Sequence, residues 1–280
     1  MPIWKPISDE KSGYLFSLSD SLRIVEEDRP NLLNDVSDSP MIIASDYSGQ
    51  HKNASHEAYS FLVTTEIALT NWIPELVEFR KKWLPDNRRV AFKNIKEKLR
   101  WAALPSFLSV VENLHCNVIT ILVDRRVGSF SSGGSVALVN ALPDCFPQNA
   151  SDGTIEKMHR LASFVAFIIA GLREEEQIAF WISDHDEALD SHDKREMFAR
   201  LATYLTFGLT GWRTAADLYF GTTELPNSPP WSEDLASIPD LIAGSYCKMS
   251  SHLPAFLGKE RWMVGLSSQT IEDRRALAIG

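Results

Sequence analysis

Met41-Ile42-Ile43-Ala44-Ser45-Asp46-Tyr47-Ser48-Gly49 is an apolar run that stops at an acid and a Ser-Gly turn. Pro40 opens it, and nothing polar interrupts the first four positions. A run this short, bounded by turn-forming residues, reads as a buried strand rather than a helix. Its neighbour in the sequence, Ala58 to Leu69, is rich in β-branched and aromatic residues (Tyr59, Phe61, Val63, Thr64, Thr65, Ile67). That composition predicts a second strand, antiparallel to the first.

Further along, the pattern alternates. Asn71 to Trp83 carries Trp72, Ile73, Leu76, Val77 and Phe79 near helical spacing, with Pro85 as its stop. Arg89-Val90-Ala91-Phe92 is a short candidate strand, and Ile95 to Leu114 reads as helical with Pro105 kinking or restarting it. Asn117 to Val123 is continuously apolar and ends at Asp124, as expected of a central parallel strand covered on both faces. Arg125 to Ser151, with three glycines and two prolines, reads as a long loop. Helices are predicted at Thr154–Arg173, Ser191–Phe207 and Trp231–Met249, and strands at Gln177–Ser183 and Ala216–Phe220. Alternating helices and strands after an antiparallel start define a mixed α/β domain over residues 40–250. Residues 1–39, with eight acids and four bases, form an N-terminal extension that wraps or caps it, and residues 251–280 a C-terminal extension.

Three of the predicted strands stop at an acid: Asp46, Asp124 and Asp184. In an open α/β sheet the ligand site lies beyond the carboxyl ends of the strands, so these acids could converge there. Each is also an ordinary turn or cap residue if it stands alone. Clustered carboxylates need a cation, and hard oxygen donors select Mg²⁺ or Mn²⁺. A pair of such ions clamps the attacking and leaving oxygens of phosphodiester hydrolysis. Asp186 is an alternative to Asp184, because residues two apart on an extended chain share a face.

The order of these elements resembles the ribonuclease H-like fold. More specifically, the chain is similar to the domain-of-unknown-function 3800 family, whose first strand ends Asp-Glu-Ser-Gly where this sequence has Asp46-Tyr47-Ser48-Gly49. Lys93 and Lys96 match a basic patch before the family's first long helix, and Ile182-Ser183-Asp184 matches a later strand end. Ser237-Ile238-Pro239-Asp240-Leu241-Ile242-Ala243-Gly244 matches a closing helix of pattern Gln-Leu-Ala-Asp-Leu-hydrophobic-Ala-Gly. The resemblance implies a ribonuclease H-like mixed sheet flanked by helices and a metal-dependent nuclease or phosphodiesterase, in a mobile-element or defence setting. It implies Asp46, Asp184 and Asp240 as catalytic metal ligands, with Asp124 and Asp186 as further candidates for Mg²⁺ or Mn²⁺. Two departures, Tyr47 for an acid and Pro239 for alanine, favour the alternative of a non-catalytic module of the same fold that binds nucleic acid or a protein. Tyr47 would leave the site one carboxylate short.

The formal charge of −9 argues at first against a polyanionic partner. It is unevenly spread: residues 80–100 carry a net +7, leaving −16 for the remainder. Arg88, Arg89, Lys93 and Lys96 are the candidate nucleic-acid contacts in that stretch, and Trp83 and Trp101 are candidates for base stacking. Cys116, Cys145 and Cys247 are too few and too scattered for a disulfide framework or a four-cysteine zinc site. The N-terminal residues lack the apolar run of a signal peptide, and the most apolar segment, the 12 residues Leu161–Leu172, is too short to span a bilayer. The expectation is a cytoplasmic protein with no membrane partner. Asp184-His185-Asp186 and Ser191-His192-Asp193 invite comparison with helical HD-type phosphohydrolases, against which the preceding apolar strand argues. The Gly128–Ser135 stretch lacks the Gly-Lys-Ser/Thr of a phosphate loop, and there is no GxSxG elbow.

Overall fold

The structure, a computed structural model, describes residues 2–7, 13–49, 54–86, 88–131, 133–184, 189, 191–211, 218–223 and 229–250, and the backbone of 263–266. The apolar run forms β1 (Met41–Ser48), which pairs antiparallel with β2 (His56–Thr65) in the register Met41↔Thr65 to Ser48↔Ala58. Side chains alternate across a strand, and here both faces are buried. Met41 and Ile43 enter one hydrophobic layer, while Ile42 and Ala44 enter the other. That is why the run carries no polar alternation.

β2 ends where Thr65 caps α2 (Glu66–Trp83), its side chain accepting from the Ala68 N–H. The helix therefore begins five residues before the predicted Asn71, and Pro74 lies within it. α3 (Lys98–Val111) follows, then β3 (Cys116–Asp124). β3 is covered on both faces as its sequence predicts, but it is not flanked by parallel strands. It pairs antiparallel with β2 on one side and with β6 (Met263–Leu266) on the other. Burial on both faces, not parallel pairing, is what its unbroken apolar run reports.

The predicted loop Arg125–Ser151 contains the short helix α4 (Gly134–Ala141) between two 3-10 turns. α5 (Asp152–Leu172) is capped by Ser151, which accepts from the Thr154 N–H. β4 (Ala179–Ser183) then adds parallel to β1, and after α6 (His192–Thr210) β5 (Leu218–Thr222) adds parallel to β4. The last helix of the described residues is α7 (Pro230–Ser250). The six-stranded sheet runs β5-β4-β1-β2-β3-β6, a mixed α/β sheet flanked by helices.

One layer contains α5 with α6 against Met41, Ile43, Phe61, Val63 and Trp181. Within it Phe164 is ringed by Tyr14, Tyr59, Phe61 and Phe130. The N-terminal residues belong to this layer: Trp4 and, from α1 (Tyr14–Asp28), Leu15, Leu18 and Leu22 are buried in it. The opposite layer is built by α2, α3 and α7 over Ile42, Ala44 and Leu62. It is this second layer that meets the strand-ending acids. No helix of the described residues is long and apolar enough to cross a membrane.

Candidate functional site

Asp46 lies two residues past Ala44 on β1, so it faces the α2/α3/α7 layer, and it is 8% exposed. Its carboxylate accepts from the Tyr47 N–H. Asp184 follows Ser183 at the end of β4, next to β1 in the sheet, and its own N–H donates to the Ser45 carbonyl. Asp240 reaches the same region from α7. Burial raises the Asp46 pKa well above the ordinary carboxylate value, and the neighbouring charges of Asp240 and Asp184 raise it further. Asp240 is likewise raised, by burial first, against the opposing effects of the Phe92 N–H and Arg89. The three acids that the sequence analysis singled out thus share one electrostatic environment.

They do not form a metal centre. Among the described residues no group of three or more His, Cys, Asp or Glu side chains could hold a metal ion. The expectation of bound Mg²⁺ or Mn²⁺ is therefore corrected, and the reason is visible in the hydrogen bonding. Arg89 presents its guanidinium fork to Asp184, Nη1 to Oδ1 at 3.0 Å and Nη2 to Oδ2 at 2.7 Å. The same Nη1 lies 3.4 Å from Glu233. Thr223 donates its hydroxyl to Asp184 Oδ1 at 3.1 Å. Asp240 is engaged elsewhere, accepting the Phe92 N–H at 2.7 Å. An arginine side chain meets the need for positive charge that clustered carboxylates impose. The Asp184 bond is the leading cause of a raised Arg89 pKa, so this cation is permanent.

Asp124 does not join the group. It closes β3, two strands from β1, where it caps a 3-10 turn and binds Arg126, whose hydrogen bond lowers its pKa. As a metal ligand it too is corrected. Asp186 and His185 lie outside the described residues. Tyr47 also differs from expectation. As the neighbour of Asp46 on an extended strand it points to the opposite face, where it packs against Tyr59, lies under Lys157 and shares a hydroxyl hydrogen bond with Ser183. A tyrosine there takes no carboxylate away from the Asp46 side.

The segment that brings Arg89 into place is not a strand. The backbone groups that would pair in a ladder are taken by side chains: Arg100 Nε donates to the Arg89 carbonyl, and Phe92 N–H donates to Asp240. Phe92–Asn94 then closes a 3-10 turn. The Phe92 ring packs against α7 at Gly244, where an added Cβ would come within 2.3 Å of it. Asp240 and Gly244, one helical turn apart, therefore clasp the same residue, one by its N–H and one by its ring. Below the segment is an apolar cavity of about 80 Å³, lined by Phe92, Phe107, Ile238, Leu241 and Tyr246 among others.

The basic stretch is largely consumed by pairing. Both Asp234 oxygens accept from Arg80 Nη1 at 2.6 Å, and Arg88 pairs with Asp86, Lys81 with Glu78 and Arg100 with Glu97. Lys82 lies over Trp83, which is half-buried, whereas Trp101 is exposed. Lys93, Lys96 and Lys98 remain exposed, with no carboxylate partner among the described residues. Lys93 is close enough to Asp240 for its charge to act there. Sequence reading identified the acids and the basic stretch but missed that Arg89 belongs to both, and it missed Glu233. No spacing rule links positions 89, 184 and 233. The signal present was the excess of arginine in a stretch without enough acids of its own.

No family model matches this chain, and no curated protein matches it.

Proposed function

We propose that this chain is a non-catalytic ribonuclease H-like module that binds nucleic acid. The carrying observation is the Arg89 fork on Asp184, which supplies within the protein the positive charge that the acids beside the sheet require. The fold half of the reading is supported by the antiparallel start β1-β2-β3, followed by β4 and β5 added parallel on the other side of β1. That is the element order on which the resemblance rests. Asp240 and Gly244, which match the closing-helix pattern, serve as a clasp for the segment after Arg89. Exposed Lys93 and Lys96, which follow the clasp, and Lys98 at the start of α3 provide the phosphate contacts.

The test has two arms on the purified protein. Labelled single- and double-stranded RNA and DNA are titrated at several salt concentrations, and the same substrates are incubated with Mg²⁺ or Mn²⁺. The expected result is binding that weakens steeply with salt, with Lys93→Gln/Lys96→Gln lowering the slope by about 1–2. No cleavage above that of Asp46→Asn is expected. Absence of binding to every substrate overturns the nucleic-acid reading. Cleavage lost specifically in Asp46→Asn overturns the non-catalytic one.

A further inference from the structure

Trp101 is the one tryptophan among the described residues that stands exposed, at 51%. Its helix explains why. α3 turns Arg100, Ala103, Leu104, Phe107 and Val111 inward, and Trp101 falls outside that stripe with Lys98, Ala102 and Pro105, all exposed. Among the described residues its ring meets no second ring, no cation and no hydrogen-bond partner. One exposed ring needs no explanation by itself. What distinguishes this one is what stands beside it.

Trp101, Leu104 and Leu108 follow one another at i, i+3 and i+7, so they share one side of α3. Leu104 and Leu108 line the same apolar cavity as Phe92 and Ile95. The ring therefore stands at the N-terminal end of the side that faces the clasped segment, where Lys93 lies between Phe92 and Ile95 and Lys96 follows. Lys98 is one helical turn from the ring on its other flank. The carboxylate of this turn, Glu97, is taken by Arg100, with Arg88 Nη1 at 3.9 Å from the same oxygen. Arg100 Nε in turn donates to the Arg89 carbonyl at 2.9 Å, which holds this turn of α3 against the acid cluster. The ring thus stands between Lys98 and the segment of Lys93 and Lys96, and none of the three lysines pairs with a carboxylate of the described residues.

A flat apolar surface among cations that lack counter-charges matches a strand of bases joined by phosphates. A duplex keeps its base faces covered by one another, and an apolar protein surface docked here would bury lysine charges unpaired. We propose that Trp101 stacks on a base of single-stranded nucleic acid, with the phosphates on either side of that base held by Lys98 and by Lys93 and Lys96. This assignment rests on the nucleic-acid reading above and narrows it to unpaired strands and to this side of α3.

The experiment titrates fluorescent oligo(U), oligo(dT) and a hairpin duplex by anisotropy at several salt concentrations, with sedimentation of each protein alongside. Trp101→Ala is expected to weaken binding of both single strands by about fivefold or more and to leave the salt slope unchanged, because stacking releases no counterions. Trp101→Phe, which keeps a ring, recovers most of the loss. Lys98→Gln lowers the slope by about 0.7, the value of one phosphate contact on a single strand. Wild type that binds no nucleic acid overturns the functional reading, and the stacking assignment with it. Wild type that binds while Trp101→Ala binds equally well overturns the stacking assignment alone, as does a hairpin bound as tightly as the single strands. A Trp101→Ala variant that turns a wild-type dimer into a monomer also overturns it, since the ring then serves contact with a second copy. Unchanged thermal unfolding of Trp101→Ala separates lost binding from lost fold. Where that variant unfolds earlier, Lys98→Gln decides, and an unchanged slope overturns the assignment.

Discussion

Asp46 is a buried carboxylate held among like charges, and its environment sets the sign of its contribution. Its raised pKa means that the folded protein binds a proton more tightly than the unfolded chain. Stability from this group is therefore full at acid pH and declines as pH rises from the unfolded value through the folded one. Asp46→Asn removes that loss, so it raises Tm at neutral pH, by about 2–4 °C for each kcal/mol regained in a chain of this size. The gain shrinks toward zero as the pH is lowered, and thermal melts of both proteins from pH 4 to pH 8 check it. Arg89→Gln acts oppositely: it leaves Asp184 without its fork and costs about 1–3 kcal/mol in denaturant unfolding. Adding Asp46→Asn to Arg89→Gln recovers part of that cost, because both changes act on one cluster. The acids were legible because strands announce their ends, whereas the arginine was not. A side chain that crosses from position 89 to position 184 leaves no periodic trace.

In the sheet, elements whose backbone pairs with backbone were legible and the segment held by side chains was not, while the helices α1 and α4 lie in stretches that read as an extension and a loop. β1 and β2 follow from an apolar run and a β-branched run, each long enough to satisfy its own ladder. Arg89–Phe92 has similar local composition but sits over a cavity of about 80 Å³ and is fastened by Asp240, Arg100 and the Phe92 ring on Gly244. Local propensity loses to these tertiary contacts. Gly244→Ala places a methyl group in the Phe92 ring, displaces the clasp and costs about 1–3 kcal/mol. Asp240→Asn keeps the shape, weakens the bond to the Phe92 N–H and removes a charge beside Asp46. Both variants are expected to speed hydrogen exchange at Phe92 while leaving β1 and β2 protected. Equal exchange at Phe92 in wild type and Gly244→Ala would show that the segment is held by other contacts.

At the scale of the molecule, the N-terminal residues show the limit of reading charge as peripheral position. Residues 1–39 are acidic in sum, yet their apolar positions are spent on α5. Glu26 accepts the backbone N–H groups of Ile3 and Trp4, and Trp4 Nε1 donates to Ser19 at 3.0 Å. The Trp4 ring, 1% exposed, packs 4.9 Å from Phe167 and lies so close to Gly171 that a Cβ there would fall 2.1 Å from it. α5 is apolar around nearly its whole circumference because β1–β4 cover one side and this segment and α6 cover the others. An amphipathic helix would need no such cover; this one does. Trp4→Ala is accordingly expected to cost about 3–5 kcal/mol in denaturant unfolding, as for a large aromatic removed from a packed interior. Deleting residues 1–39 bares the α5 surface and is expected to give an aggregating chain without a cooperative thermal transition. A soluble truncated protein that still unfolds cooperatively within a few degrees of wild type would show instead that the sheet and its remaining helices form a complete core without the segment.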